Sequence, residues 1–157
     1  MVLDIRQNAF SKLPESLLAL PRLTTLALEA NPLGGMPPEV LAAGCAAVLQ
    51  FLSRQRASRL HHNLDLSNLA LQTIPPDVLS MAALQELSLA DNLLTSLPPS
   101  LPYTLSSLTR LSLASNRLAP PLPPSLIKLA PTLTSLDLSH NRLSHLPAAL
   151  FGLTRLK

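Results

Sequence analysis

The sequence predicts an α/β solenoid: a horseshoe whose concave side is a parallel β-sheet. Three observations predict it. A leucine template about fifteen residues long recurs six times. Its period is 23 to 25 residues, with one long exception. Apolar residues make up 47% of the chain while aromatics are only 3% and Trp is absent, so the core is aliphatic and mostly leucine. A chain of 157 residues is long enough to bury roughly two-thirds of its unfolded surface.

The units are read directly. "LTTLALEANPLGGMP" starts at Leu23, "LQELSLADNLLTSLP" at Leu84, "LTRLSLASNRLAPPLP" at Leu108 and "LTSLDLSHNRLSHLP" at Leu133. "VLDIRQNAFSKLP" lacks the first leucine, and "NLDLSNLALQTIP" has His61 in that column. The template L-x-x-L-x-L-x-x-N-x-L-x-x-L-P is the leucine-rich-repeat signature. The repeats lie near 1–22, 23–60, 61–83, 84–107, 108–132 and 133–155, and residues 156–157 begin another. Each L-x-L is a short strand with its leucines inward and the residues between them on the concave surface. The Asn column, Asn8, Asn31, Asn92, Asn116 and Asn141, turns the chain, and its amides are expected on backbone groups of neighbouring turns. The Leu-Pro step starts each outer segment, where a fixed φ and a missing donor are tolerated.

The long exception is the second unit. Leu26 to Leu64 is 38 residues, one period of 23 plus 15. The added stretch, "GCAAVLQFLSRQR", has helical spacing. Cys45, Val48, Leu49 and Leu52 share a face, and Arg54 and Arg56 sit near its C-terminus, where cations are favoured. A helical insertion over about 41–58 is predicted on the outer face. Two arrangements follow: the helix caps a first array and a second begins near residue 61, or the sheet runs on past it. Fifteen residues are few for both a cap and a fresh start, which favours the continuous sheet. Against it, Leu69 stands in the Asn column just after the insertion, which suits a first repeat.

"NPLGGMPPEVLAAGCAAVLQFLSRQR" resembles the N-P-L…P-P-E-[IV]…G-x-x-A-[IV]-L-x-[YF]-L-R segment of intracellular leucine-rich-repeat proteins of the Leu-Pro type. Those are the Roco kinases, the Ras-group and Shoc2-like proteins and, most closely, the leucine-rich repeat-containing protein 40 family. Asn31, Pro32, Leu33, Pro37, Pro38, Glu39, Val40, Gly44, Ala47, Val48, Leu49, Phe51 and Leu52 carry the match, and Ser53 stands where the family often has Arg. In that family the segment lies inside the array, and "LDLSNLALQTIPPDVLS" resembles the unit that follows it. The resemblance implies a protein-interaction module.

Composition narrows the function further. The formal net charge is +3 and the sequence pI about 9.6. The basic residues are scattered apart from Arg54, Arg56 and Arg59, which argues against nucleic acid. The lone Cys45 rules out an intrachain disulfide framework and argues for a reducing compartment. No apolar run is long enough to span a bilayer. Asp4 and Arg6 interrupt any N-terminal apolar run. We read the chain as cytoplasmic, with a nuclear location open.

His61 with His62, and His140 with His145, lack metal-ligand spacing with Cys. Gly34-Gly35 precedes a Pro-rich turn rather than a phosphate-binding helix. No catalytic residue, cofactor, metal or small-molecule substrate is therefore assigned. The bare repeat ends lead us to expect self-association.

The remaining surface is the concave face, the default binding face of such arrays. Its candidate partner-binding residues are Asp4, Arg6, Glu29, Asp65, Ser67, Glu86, Ser88, Asp91, Arg110, Ser112, Asp137 and His140. The acidic members point to a basic protein partner. The function expected is a non-enzymatic scaffold. The alternative is the recognition arm of a larger signalling enzyme, a Roco-type kinase or a ubiquitin ligase, whose catalytic domain lies outside this chain.

Overall fold

Leucines at alternate positions turn inward, so each L-x-L step becomes a three-residue strand with one face on the core. A computed structural model describes residues 1–157 apart from Pro147. The described strands are β1 (Val2–Asp4), β2 (Thr25–Ala27), β3 (Asn63–Asp65), β4 (Glu86–Ser88), β5 (Arg110–Ser112) and β6 (Ser135–Asp137). All pair in parallel with leucine opposite leucine: Leu3 with Leu26, Leu64 with Leu87, Leu87 with Leu111 and Leu111 with Leu136. Short 3-10 turns run along the outer side, at Glu15–Ala19, Val78–Ser80, Pro124–Leu129 and Ala148–Gly152. All but the last, whose upstream Pro147 is not described, follow a proline within three residues or begin at one.

Asparagine joins the turns as the sequence predicts. The Asn92 amide donates to Leu66 O at 2.8 Å and Leu89 O at 2.9 Å, while its Oδ1 accepts from Leu69 N and Leu71 N. Asn31, Asn116 and Asn141 likewise bridge consecutive repeats. Asn8, in the first of the described repeats, donates only locally, to Ile5 O and Arg6 O. The residue before the Asn column is left-handed in every repeat: Gln7, Ala30, Asn68, Asp91, Ser115 and His140 have φ between 52° and 60°. That conformation costs an ordinary residue roughly 1 kcal/mol. In four of the repeats the N–H it turns sideways reaches the next repeat: Gln7 to Glu29 O, Asn68 to Ala90 O, Asp91 to Ala114 O and Ser115 to Ser139 O.

The sheet is not continuous. β1 and β2 form one sheet, and β3 to β6 form a second with strand order 3-4-5-6. The continuous arrangement favoured by sequence length is thus corrected, and the signal of Leu69 is the one that holds. The reason lies in the inserted segment. Pro38–Ala42 forms α1 and Cys45–His61 forms α2, with Gly44 between them at φ 89°, a left-handed value that favours glycine. Val48, Phe51 and Leu52 of α2 are buried, with Cys45 and Leu49 half-buried beside them. The helix is not confined to the outer face. It packs on the outer turn at Glu15–Ala19 and also against β3 itself.

One side chain explains how α2 can stand beside a strand. Leu66 N donates to Ser88 O and Asn68 N to Ala90 O, and the same two columns repeat this at Leu89 to Ser112 and Asp91 to Ala114. By that register, Asp65 O and Ser67 O of the β3 edge should accept from Leu28 and Ala30. They accept instead from Arg54 Nη1, at 3.2 and 2.9 Å. A guanidinium replaces two strand amides. Arg54→Met keeps the apolar stem and removes both donors, leaving edge carbonyls without partners. We expect it to lower the unfolding free energy by about 2 kcal/mol in urea titrations at neutral pH.

The core is uneven. Leu64, Leu66, Leu87, Leu89, Leu111 and Leu113 are buried, whereas Leu3, Ile5, Leu26 and Leu28, in the same columns of the first sheet, are only half-buried. The two halves are tied along the outer side by Glu39 Oε1 accepting from Gln72 N and by the ion pair Lys12–Asp77 (3.3 Å), while Arg59–Glu15 (2.7 Å) holds α2 to the first outer turn.

Candidate partner-binding face

A strand that buries its leucines must present the residues between them to the other side. Across β4 to β6 these are Glu86, Ser88, Arg110, Ser112, Ser135 and Asp137. They line a shallow hollow of about 280 Å³ floored by Leu87 and Leu111. The structure therefore brings together five of the residues predicted from sequence: Glu86, Ser88, Arg110, Ser112 and Asp137. Ser135, at the alternate position of β6, lines the hollow with them.

The other seven are distributed differently. Asp65 and Ser67 stand at the free edge of the same sheet, on the strand that Arg54 covers. Asp4 and Arg6 lie at the outer edge of the two-stranded sheet, and Glu29 follows β2. Asp91 and His140 are not flat sheet-face positions. Both sit in the left-handed turn before the Asn column, at the rim of the face.

Charges on this face are held by close neighbours. The Arg6 guanidinium donates to both oxygens of Asp4, at 2.6 to 3.1 Å, and holds that carboxyl down at about 2. Arg110 pairs with Glu86 across adjacent strands. Asp65 is pushed upward by its burial. The Ser67 hydroxyl and amide, with the Arg54 charge, outweigh this and keep it below the ordinary aspartate value. Hydrogen bonding from Ser139 lowers Asp137 in the same way, its amide donating at 2.9 Å. All three aspartates are ionised at neutral pH. With Asp4 and Glu86 matched by arginines and Glu29 within 4.0 Å of Arg6, the carboxylates of the face that stand outside any ion pair among the described residues are Asp65, Asp91 and Asp137.

The arrangement offers alternating acceptors and hydroxyls over a shallow floor. No nucleophile with an adjacent base is built into it. Among the described residues no group of three or more His, Cys, Asp or Glu side chains is placed to hold a metal. Among them, too, no helix is long and apolar enough to cross a membrane.

Known proteins agree with this geometry. A leucine rich repeat family model matches residues 61–118, and a second leucine rich repeat model matches residues 132–153. The chain is a leucine-rich-repeat protein. Two solved structures resemble it. The BIR2 ectodomain from Arabidopsis thaliana is 38% identical over 59% of this chain and 50% of its own, with a TM-score of 0.53. A leucine-rich-repeat protein of Leptospira interrogans is 30% identical over 99% of this chain and 35% of its own, with a TM-score of 0.54. The chain thus spans half of the first and about a third of the second. No curated protein sequence matches it. Leucine-rich-repeat domains are typically non-catalytic and mediate protein–protein interaction. Their extended parallel sheet exposes a row of side chains on a stiff frame, which suits a protein surface better than a small molecule.

Proposed function

We propose that this leucine-rich-repeat protein is a non-enzymatic interaction module that holds a basic protein partner on the face of β3 to β6. The observation that carries this reading is the hollow of Glu86, Ser88, Arg110, Ser112, Ser135 and Asp137. Asp65 and Asp137 at the edge and end of that face are kept ionised by hydrogen bonds from Ser67 and Ser139. Preset carboxylates cost little further ordering when a lysine or arginine arrives, and they steer its approach.

We place the chain in the Leu-Pro class of repeat proteins that work inside cells. The segment Pro37-Pro38-Glu39-Val40 followed by Gly44 and α2 supports this, as does the single free thiol of Cys45. The partner is a protein with a lysine- or arginine-rich patch.

The test uses the chain as bait beside a variant with Asp65, Glu86 and Asp137 all changed to lysine. Both are first shown to melt alike. The partner recovered by the natural bait is expected to drop at least tenfold on the variant, and its capture to weaken as salt is raised. Equal recovery by both baits would place the binding surface elsewhere on the molecule.

A further inference from the structure

The break between the two sheets leaves an unfinished ladder. In the repeats that begin with β1, β3, β4 and β5, the inward residue after the strand and the left-handed residue two places later each donate to the next repeat. The donors are Ile5 and Gln7, Leu66 and Asn68, Leu89 and Asp91, and Leu113 and Ser115. The corresponding residues after β2 are Leu28 and Ala30. Among the described residues neither amide has a backbone or side-chain acceptor. Their natural acceptors on β3 are taken by Arg54. The two donors therefore face a groove rather than a strand.

That groove has a volume of about 260 Å³ and lies between β2 and the helices. Leu28, Leu33, Leu41 and Val48 supply its apolar wall, and Gly44 keeps one side free of a side chain. Glu29 stands at its concave rim with a side chain 76% exposed, held only by a 4.0 Å approach of Arg6. Unpaired amides on alternate residues, roughly 6.6 Å apart, match the carbonyl spacing of an extended chain. An apolar wall below and a carboxylate above match a strand that alternates aliphatic and basic side chains.

We propose that the β2 edge takes up a short extended peptide of alternating aliphatic and basic residues, which completes the first sheet by strand addition. Its aliphatic side chains enter the groove and its basic ones meet Glu29. In the strands of this fold, the concave residues turn their amides to the preceding strand: Glu86 N to His62 O, Arg110 N to Gln85 O, Ser135 N to Thr109 O. In the added strand the basic residues would do the same. Their carbonyls would accept from Leu28 and Ala30. Arg54 helps by keeping β3 from claiming the site.

The probe is the acetylated and amidated pentapeptide Val-Lys-Val-Lys-Val, fluorescently labelled and titrated against the whole chain. Saturable binding is expected. It should weaken at least tenfold when both lysine amides are N-methylated, and at least tenfold in Glu29→Lys, whose melting should match the natural chain. It should be unchanged in the Asp65, Glu86 and Asp137 triple variant. Hydrogen exchange followed by NMR is expected to show the amides of Leu28 and Ala30 unprotected in the free protein and slowed at least tenfold at saturation. The proposal is overturned if the peptide does not bind, or if it binds without slowing those amides. It is equally overturned if they are already protected in the free protein, because β3 would then be the strand that fills the gap.

Discussion

Leu89→Ala is expected to lower the unfolding free energy by about 3 to 5 kcal/mol, measured by urea or thermal unfolding. Leu89 is 0% exposed and sits just past β4, in the middle of the four-stranded sheet. Repeats on both sides press on it, so the vacated space cannot collapse without moving two turns. The paired control is Leu28→Ala in the same column after β2. Leu28 is only half-buried, because no strand follows it. Its loss is expected to cost less than half as much. Equal losses at the two positions would mean that the first sheet is packed as tightly as the second, contrary to the break between them.

Asn92→Ala is expected to cost about 3 kcal/mol or more in the same measurement. Asn92 is 4% exposed and its side chain serves two repeats at once. Removing it leaves the amides of Leu69 and Leu71 without their acceptor, and Leu66 O without its donor. A buried polar group stripped of its partner costs about 1 to 3 kcal/mol, and Asn92→Ala strips several at once. Asn8→Ala is the control. Asn8 is exposed and bonds only within its own turn, so its replacement is expected to cost under about 1 kcal/mol. If Asn92 proves no more costly than Asn8, the ladder does not hold the turns together.

Both predictions rest on columns that are visible in the sequence, and so does most of the fold. The alternation of leucines settles which side chains face the core. A period of 23 to 25 residues sets how strands stack in register. The Asn and Leu-Pro columns mark where each turn begins. These are local rules of spacing, and the chain repeats them often enough that no distant contact is needed to read them. A helix over about 41–58 was legible from the spacing of its apolar residues; the structure sets it at Cys45–His61, with the separate α1 before Gly44.

The face is legible only in part. Its residues follow from alternation, so Glu86, Ser88, Arg110, Ser112 and Asp137 could be named in advance. How their charges pair could not, because Glu86 meets Arg110 from 24 residues away. The left-handed turn that holds Asp91 and His140 was missed, since its column contains Gln, Ala, Asn, Asp, Ser and His and no glycine to announce it.

By itself, the sequence determined that this is a repeat array with an aliphatic core, an asparagine ladder and one inserted helix. Tertiary structure alone decided that the array is split into two sheets. Leu69 in the Asn column was the sequence sign of it, while the length of the 38-residue step was read as favouring a continuous sheet. The deciding facts are the position of α2 against β3 and the reach of Arg54 to Asp65 O and Ser67 O. Periodicity specifies which way a side chain points along its own segment. Whether two segments come close enough to share hydrogen bonds depends on what lies between them, and here a guanidinium stands where a strand would have been.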